Sequence, residues 1–490
     1  MTEAVHAFTE DAMGDHDAVG IADLIRQGTV HPKEVVAAAI ARAKSVDATL
    51  NAIVCERFEE ALTDAERPND GFFAGIPIFF KDMVDVAGMP THHGSAAFDK
   101  TKNKTKNDPI VDQILAQGFV NLGKSTMPEF GFTCSTEFPR AYRPDTTNPW
   151  NSAHSAGGSS GGAAALVAAG VVPIAHSADG GGSTRIPAAC CGAVGLKATN
   201  GRIQYGALSK GAPSGITMEG VITRSVRDTA YFYAEAEKYY RNPKLEPIGL
   251  VTSPVTRRLE VAVVDESIGN RRPDAVTQRE LERTVALLEG LGHSVRKIAA
   301  PVPDQFLHDF IDTWALGAML VHRFGALAFR GMDRTQVTDL TRYLSKTMTV
   351  GKLLSRPKVA RRMAGYRQLM EDTFTEHGID IILSPTLAHP AIKLGEMAMD
   401  LPGKEVFERM QEWAIFTPVA NASGGPALTL PMGHSEVDNL PVGMLFWARH
   451  GQDALLLELG YELEAAAPWK NIAGSPSGSV GHFRPGSAGQ

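Results

Sequence analysis

An α/β fold is what this sequence predicts, on three observations. From about residue 75 to 206, short apolar runs at 76–80, 119–122 and 171–175 sit between glycine-rich turns and helical patterns, the texture of strands packed against helices. Residues 259–265 (LEVAVVD), a charged helical pattern over 274–291 and an extended run at 293–298 form one β-α-β-like unit. Composition is the third: 43% hydrophobic and 21% charged residues over 490 positions supply ample material for a large core.

The elements follow in chain order. Residues 19–27 and 32–46 read as amphipathic helices. Pro32 suits a first helical turn, and Val35, Val36, Ala39, Ile40 and Ala43 form an apolar stripe. Residues 303–377 are helical nearly throughout and rich in Arg and Met, as expected of a helical insert or cap. Further strands are expected at 379–383 and 427–430, and a last helix at 453–466. Beyond Trp469 the chain turns Gly-, Ser- and Pro-rich, so 471–490 is expected to be a flexible tail. With no internal repeat and no clean linker, residues 1–470 read as a single domain: a helical N-terminal part (1–70), a core (71–205) and a helical cap at about 303–378.

Charge and cysteines narrow the function. Lys and Arg number 48 against 55 Asp and Glu, a net −7 spread along the chain, so nothing draws it to nucleic acid or anionic lipid. The Ala/Val-rich stretch 162–175 is too short to span a membrane. The N-terminus is acidic and has no apolar signal region, and Cys55, Cys134, Cys190 and Cys191 show no metal-ligand spacing. Reduced thiols in a cytoplasmic protein are the expectation.

Two motifs tempt and fail on context. GFVNLGKS (118–125) matches the phosphate-loop pattern, but its interior FVNL reads as a strand. Gly118 closes a helical pattern, and Pro128 interrupts the helix that should follow. GGSSG (157–161) matches a nucleophile elbow, yet a loop precedes it where an apolar strand is needed. The elbow remains the weaker reading. His92 and His93 have no acidic partner at metal-binding spacing.

Three segments carry the chemistry. AGIPIFFKD (74–82) ends an apolar run at Lys81, either a snorkelling surface residue or a buried amine of lowered pKa. SAGGSSGGA (155–163) runs into an Ala-rich helix that Ser159 or Ser160 would otherwise cap. ADGGGSTRIPAACCG (178–192) gives up backbone order at three glycines to present Ser183 between Asp179 and Arg185.

GGSSGG (157–162) and DGGGSTRIPAACCGAVGLKAT (179–199), with serines 24 apart at 159 and 183, resemble the signature of the amidase signature family of serine hydrolases. The resemblance extends over about 19–470, through AGIPIFFKD, GKSTMPEFG (123–131), TNPW (147–150), ITRSVRDTA (222–230) and NASGGPALTLP (421–431). It implies a large twisted mixed β-sheet covered by helices on both faces. It also implies a catalytic triad of Lys81, Ser159 and Ser183, with the Gly158–Ser159 peptide cis. Ser183 would be the nucleophile, Ser159 the proton relay and Lys81 the base, neutral through burial. The N–H groups of Gly180, Gly181, Gly182 and Ser183 would form the oxyanion hole, each such donor contributing about 3–4 kcal/mol to the barrier's lowering. Asp82, Ser160, Asp179 and Arg185 would support them.

Two departures from the commonest pattern stand out. Gly180 replaces a larger residue, and Ala198 stands where Lys-Pro-Thr is usual. By analogy the substrate pocket would use Phe132, Cys134, Trp314, Phe416 and Asn421. The implied activity is hydrolysis of a small-molecule amide to acid and amine, with no metal or organic cofactor required; a homodimer is compatible with it. Two alternatives stand beside this one. The first is the glutaminase subunit of a tRNA-dependent amidotransferase, against which the usual DEFAMG run is replaced by PEFGF (128–132). The second is a non-catalytic ligand-binding homologue.

Overall fold

In the computed structural model, residues 4–329 and 331–474 are described. Two sheets organise them. The smaller has three strands, β1 (Ile53–Glu56), β2 (Pro77–Lys81) and β3 (Val120–Ser125), in the order β1-β3-β2. The larger has eight: β4 (Ile174–Asp179), β5 (Val194–Lys197), β6 (Met218–Thr223), β7 (Glu260–Val263), β8 (Ser294–Lys297), β9 (Ile381–Pro385), β10 (Ala427–Ser435) and β11 (Leu440–Ala448). Their order is β4-β6-β5-β10-β11-β9-β7-β8. The sheet is mixed. Pairings from β4 to β9 are antiparallel, whereas β9-β7-β8 is parallel.

The β-α-β unit forms as its pattern requires. Helix Ala275–Gly290 connects β7 to the parallel β8, and Asp274 caps it by accepting from the Thr277 N–H at 2.8 Å. The N-terminal helices fall at Ala18–Arg26 and Pro32–Leu50, with Val35, Val36, Ala39, Ile40 and Ala43 all buried. Residues 303–377 carry the helices Gln305–Ala328, Asp339–Thr347 and Val350–Glu376, and the last helix is Asp453–Ala466. Most of the expected tail, 475–490, lies outside the described residues. No helix among the described residues is long and apolar enough to cross a membrane.

Glycines set the central packing. A Cβ on Gly443 of β11 would come within 2.5 Å of Ala189 Cβ, and one on Gly195 of β5 within 2.7 Å of Ala188 Cβ. Helix Arg185–Cys191 therefore lies flush on both strands, and this contact fixes where the segment just before it, residues 180–184, enters the cleft. The phosphate-loop look-alike is a strand: GKS ends β3, and the buried Lys124 Nζ donates to Pro90 O at 2.6 Å and Thr91 Oγ1 at 2.7 Å.

Candidate active site

Three chain segments meet at one point. Lys81 is the last residue of β2. Ser159 and Ser160 immediately precede the wholly buried helix Gly161–Ala168. Ser183 follows β4 and leads into helix Arg185–Cys191. β2 is tied to β4 by the Lys81 N–H, which donates to His176 Nδ1 at 3.2 Å. The two serine segments are tied by the Ser160 N–H, which donates to Ser183 O at 3.1 Å. Lys81 Nζ lies 2.8 Å from Ser159 Oγ and 2.9 Å from Ser160 Oγ, and donates to Ala178 O at 3.3 Å. Lys81, Ser159 and Ser183 line one cavity, and the Gly158–Ser159 peptide is cis. Ser160 makes no side-chain cap on its helix; its hydroxyl serves Lys81 and Ala178 instead.

Burial decides the charge of the lysine. Lys81 is 1% exposed. Desolvation brings its pKa from 10.5 down to about 7, against the opposing pull of Glu219 and Asp179. A buried amine that loses its proton near neutrality can accept one from a neighbouring hydroxyl. The snorkelling alternative requires an exposed head group, which this is not.

The glycine turn is held from behind. Burial works against an ionised Asp179, but Arg185, Asn421 and Lys197 hold its carboxyl well below the usual carboxylate range. Arg185 grips it through Nε at 2.8 Å and Nη2 at 2.9 Å. Asn421 donates through Nδ2 to Asp179 Oδ1 at 2.9 Å, and its Oδ1 accepts from Arg185 Nη2 at 2.6 Å. This ion pair is wholly buried, so it is not a surface salt bridge worth roughly 0–1 kcal/mol. The Gly182 N–H donates to Asp179 Oδ1 at 2.8 Å, which corrects the expected donor set: that N–H shapes the turn and is turned away from the cleft. The N–H groups of Gly180, Gly181 and Ser183 have no protein acceptor among the described residues. Gly182 has φ +134°, and a Cβ there would fall 2.4 Å from Thr417 Oγ1, so only glycine fits.

Of the expected pocket residues, Phe132 and Trp314 line the cavity that holds the triad, and Cys134 lines a smaller adjoining one. Two expectations are corrected. Asn421 is buried and spends its amide on Asp179, Arg185 and Ile216 O, so it braces the turn rather than meeting a substrate. Phe416 is buried in an apolar cluster and lines neither cavity. Asp82 faces away from the triad. It accepts the His92 N–H at 3.1 Å and lies 3.5 Å from Lys124 Nζ, anchoring the loop after β2.

Sequence reasoning missed His176 and Glu219. Both are fully buried. Because His176 Nδ1 accepts from Lys81, the ring proton sits on Nε2, 3.1 Å from Glu219 Oε2. Glu219 Oε1 accepts the Gly206 N–H at 3.0 Å. The available signal was a glutamate inside an otherwise uncharged, buried strand and a histidine inside another buried strand. His92 and His93 belong to no cluster of three or more metal-ligating side chains among the described residues, and the His93 ring packs against Phe98 and Phe329.

The fold thus sets a desolvated lysine against paired serines beside a glycine turn, and comparison with known proteins supplies the family. The family model described as Amidase matches residues 34–457. A Mycobacterium leprae protein named "Putative amidase AmiC" is 44% identical over 477 residues, covering 96% of this chain and 99% of that one. The 6-aminohexanoate-cyclic-dimer hydrolase of Paenarthrobacter ureafaciens is 32% identical, covering 92% and 95%. A solved structure of 6-aminohexanoate cyclic dimer hydrolase with substrate superposes with a TM-score of 0.83 at 31% identity, over 94% of this chain and 99% of that one. The chain belongs to the amidase family and is an amide-hydrolysing enzyme.

Proposed function

We propose that the chain hydrolyses a neutral small-molecule carboxylic amide to acid and amine through an acyl-Ser183 intermediate. The observation that carries this reading is the buried Lys81 Nζ, 2.8 Å from Ser159 Oγ, in a cavity that Ser183 also lines. Neutral Lys81 draws the proton of Ser159, which draws that of Ser183, and Ser183 Oγ attacks the amide carbon. The oxyanion is met by the N–H groups of Gly180, Gly181 and Ser183, which have no protein acceptors among the described residues. The proton returns through Ser159 to the leaving nitrogen. Water then enters, Lys81 again serves as base, and the ester opens to the acid. Ser160 holds the lysine, while Asp179, Arg185 and Asn421 hold the turn.

A panel of simple amides, with released amine quantified, tests this. Ser183→Ala is expected to abolish turnover and labelling by a fluorophosphonate probe. Lys81→Ala is expected to lower kcat by several orders of magnitude. Near-normal rates in Lys81→Ala would transfer the base to a histidine and end the proposal.

A further inference from the structure

The cleft is two chambers, and their chemistry differs. The larger, about 520 Å³, is lined by Lys81 and Ser159 and extends along helix Gln305–Ala328, past Ile216, Val321 and Phe324. The smaller, about 100 Å³, is lined by Gly181, Ile186, Phe310 and Ile415, and by neither Lys81 nor Ser159. Gly131, Ser183 and Trp314 belong to both. Trp314 is the partition. Its ring stacks on Phe310 at 6.0 Å and meets Phe132 edge-on at 5.9 Å, and its Nε1 donates to Phe132 O at 3.3 Å. It stands over the turn because the turn is bare. A Cβ on Gly180 would come within 3.2 Å of Trp314 Cζ3, and one on Gly181 within 3.2 Å of Phe310 Cζ. The glycine at 180, where a larger residue is commoner, thus makes room for the wall between the chambers.

An amide carbonyl poised at Ser183 has two arms, and the reaction distinguishes them. The Ser183 Oγ–carbon bond forms and the carbon–nitrogen bond breaks, its electron pair passing to nitrogen. That nitrogen needs a proton, and Ser159, recharged by Lys81, supplies it. The nitrogen must therefore lie in the chamber that Ser159 and Lys81 line.

We propose that the larger chamber receives the amine arm of the substrate, as an uncharged apolar N-alkyl or N-aryl group, and that the smaller chamber admits only a short acyl group. This rests on the serine-lysine reading above. Lys81 is the one ionisable amine and there is no carboxylate among the described residues of the larger chamber, so nothing there balances a cationic arm, whereas an apolar arm buries against Ile216, Val321 and Phe324. The released amine leaves past the half-exposed Phe324 at the mouth.

Two amide series on the full chain test it, with amine release measured. From N-methyl- to N-hexylacetamide, kcat/KM is expected to rise about tenfold or more, and from N-methylacetamide to N-methyloctanamide to fall by a similar factor. Gly317→Leu adds bulk to the larger chamber at a helical position where a Cβ meets nothing closer than 3.8 Å; it is expected to lower the N-hexyl to N-methyl preference about tenfold. Trp314→Ala is expected to raise N-methyloctanamide hydrolysis relative to N-methylacetamide by opening the partition. Long acyl chains preferred over long amine chains, or equal tolerance of both, overturns the assignment while amide hydrolysis and fluorophosphonate labelling of Ser183 leave the serine-lysine reading standing. No hydrolysis of any member, with no labelling, overturns both.

Discussion

Replacing Glu219 by Gln should move the acid limb of the pH–rate profile downward. The magnitude starts from Lys81, whose burial takes its pKa from 10.5 to about 7. At pH 7 about half of the enzyme then carries the neutral base, where an ordinary lysine would offer about three molecules in ten thousand. At pH 6 the competent fraction is about one tenth, so kcat/KM in the wild type should climb about tenfold between pH 6 and the plateau above pH 8. Glu219 and Asp179 are the anions that favour the ammonium form. Glu219 is the removable one, because Asp179 also holds the glycine turn. Glutamine keeps an oxygen for the His176 Nε2–H and deletes the charge. The neutral amine is then favoured further, the half-maximal point drops below pH 7, and the pH 6 rate rises relative to the variant's own plateau. That plateau should fall, since a less basic lysine is a weaker base. The assay is kcat/KM for one neutral amide from pH 5 to 9.5, whose own ionisation cannot interfere. An acid limb that stays in place or moves to higher pH would refute desolvated Lys81 as the titrating base.

The remaining predictions concern the turn and stability. Gly182→Ala should cost at least about a hundredfold in kcat, because the added Cβ collides with Thr417 at a left-handed φ; steady-state kinetics on folded protein checks it. Asn421→Ala should destabilise by about 1–3 kcal/mol in urea unfolding by leaving Arg185 and Asp179 short of partners, with kcat falling more than KM changes. Burial also depresses Lys197, again to about 7, with Arg185 adding to the effect. The unfolded chain therefore binds more protons than the native one between about pH 7 and 10.5, so the contribution of both lysines to stability grows as pH rises through that window. Lys81→Met should accordingly raise Tm more at pH 6 than at pH 10.

Most strands were legible as short apolar runs, and β11 shows where that signal fails. LPVGMLFWA is buried along its whole length, so it lacks the alternation that marks a half-buried strand, and Pro441 and Gly443 read as breakers. Gly443 is there because helix Arg185–Cys191 presses on it, a contact between residues more than 250 positions apart. That Lys81, Ser159 and Ser183 would meet was legible because each is a reactive side chain in a local context that ordinary packing does not need. Asn421 was visible but misplaced: in sequence an asparagine before Ala-Ser-Gly-Gly gives no direction, and only the fold aims its amide at Asp179. Gly182 was assigned to the cleft for the same reason, since one turn offers four N–H groups and the sequence does not say which of them the neighbouring carboxylate takes.

The three glycines answer to three different constraints. Gly182 is fixed by the left-handed backbone and by Thr417, whose hydroxyl donates to Gly181 O at 2.6 Å. Gly180 and Gly181 are not in left-handed conformations; they are bare because Trp314 and Phe310 lie on them. The turn that leaves N–H groups for an oxyanion is thus also the floor on which the aromatic wall stands. On the proposed reading, oxyanion stabilisation and substrate partition share the same stretch of backbone. A side chain at position 180 would meet Trp314 before any substrate, so substitution there should alter chain-length preference first and the rate on the smallest amide second. Gly180→Ala, whose Cβ would sit 3.2 Å from both Thr217 Oγ1 and Trp314 Cζ3, separates the two roles. Displacement of the indole should weaken the discrimination between long and short acyl chains by about tenfold, with the loss on N-methylacetamide smaller than that. A uniform loss across both amide series would assign Gly180 to the oxyanion alone.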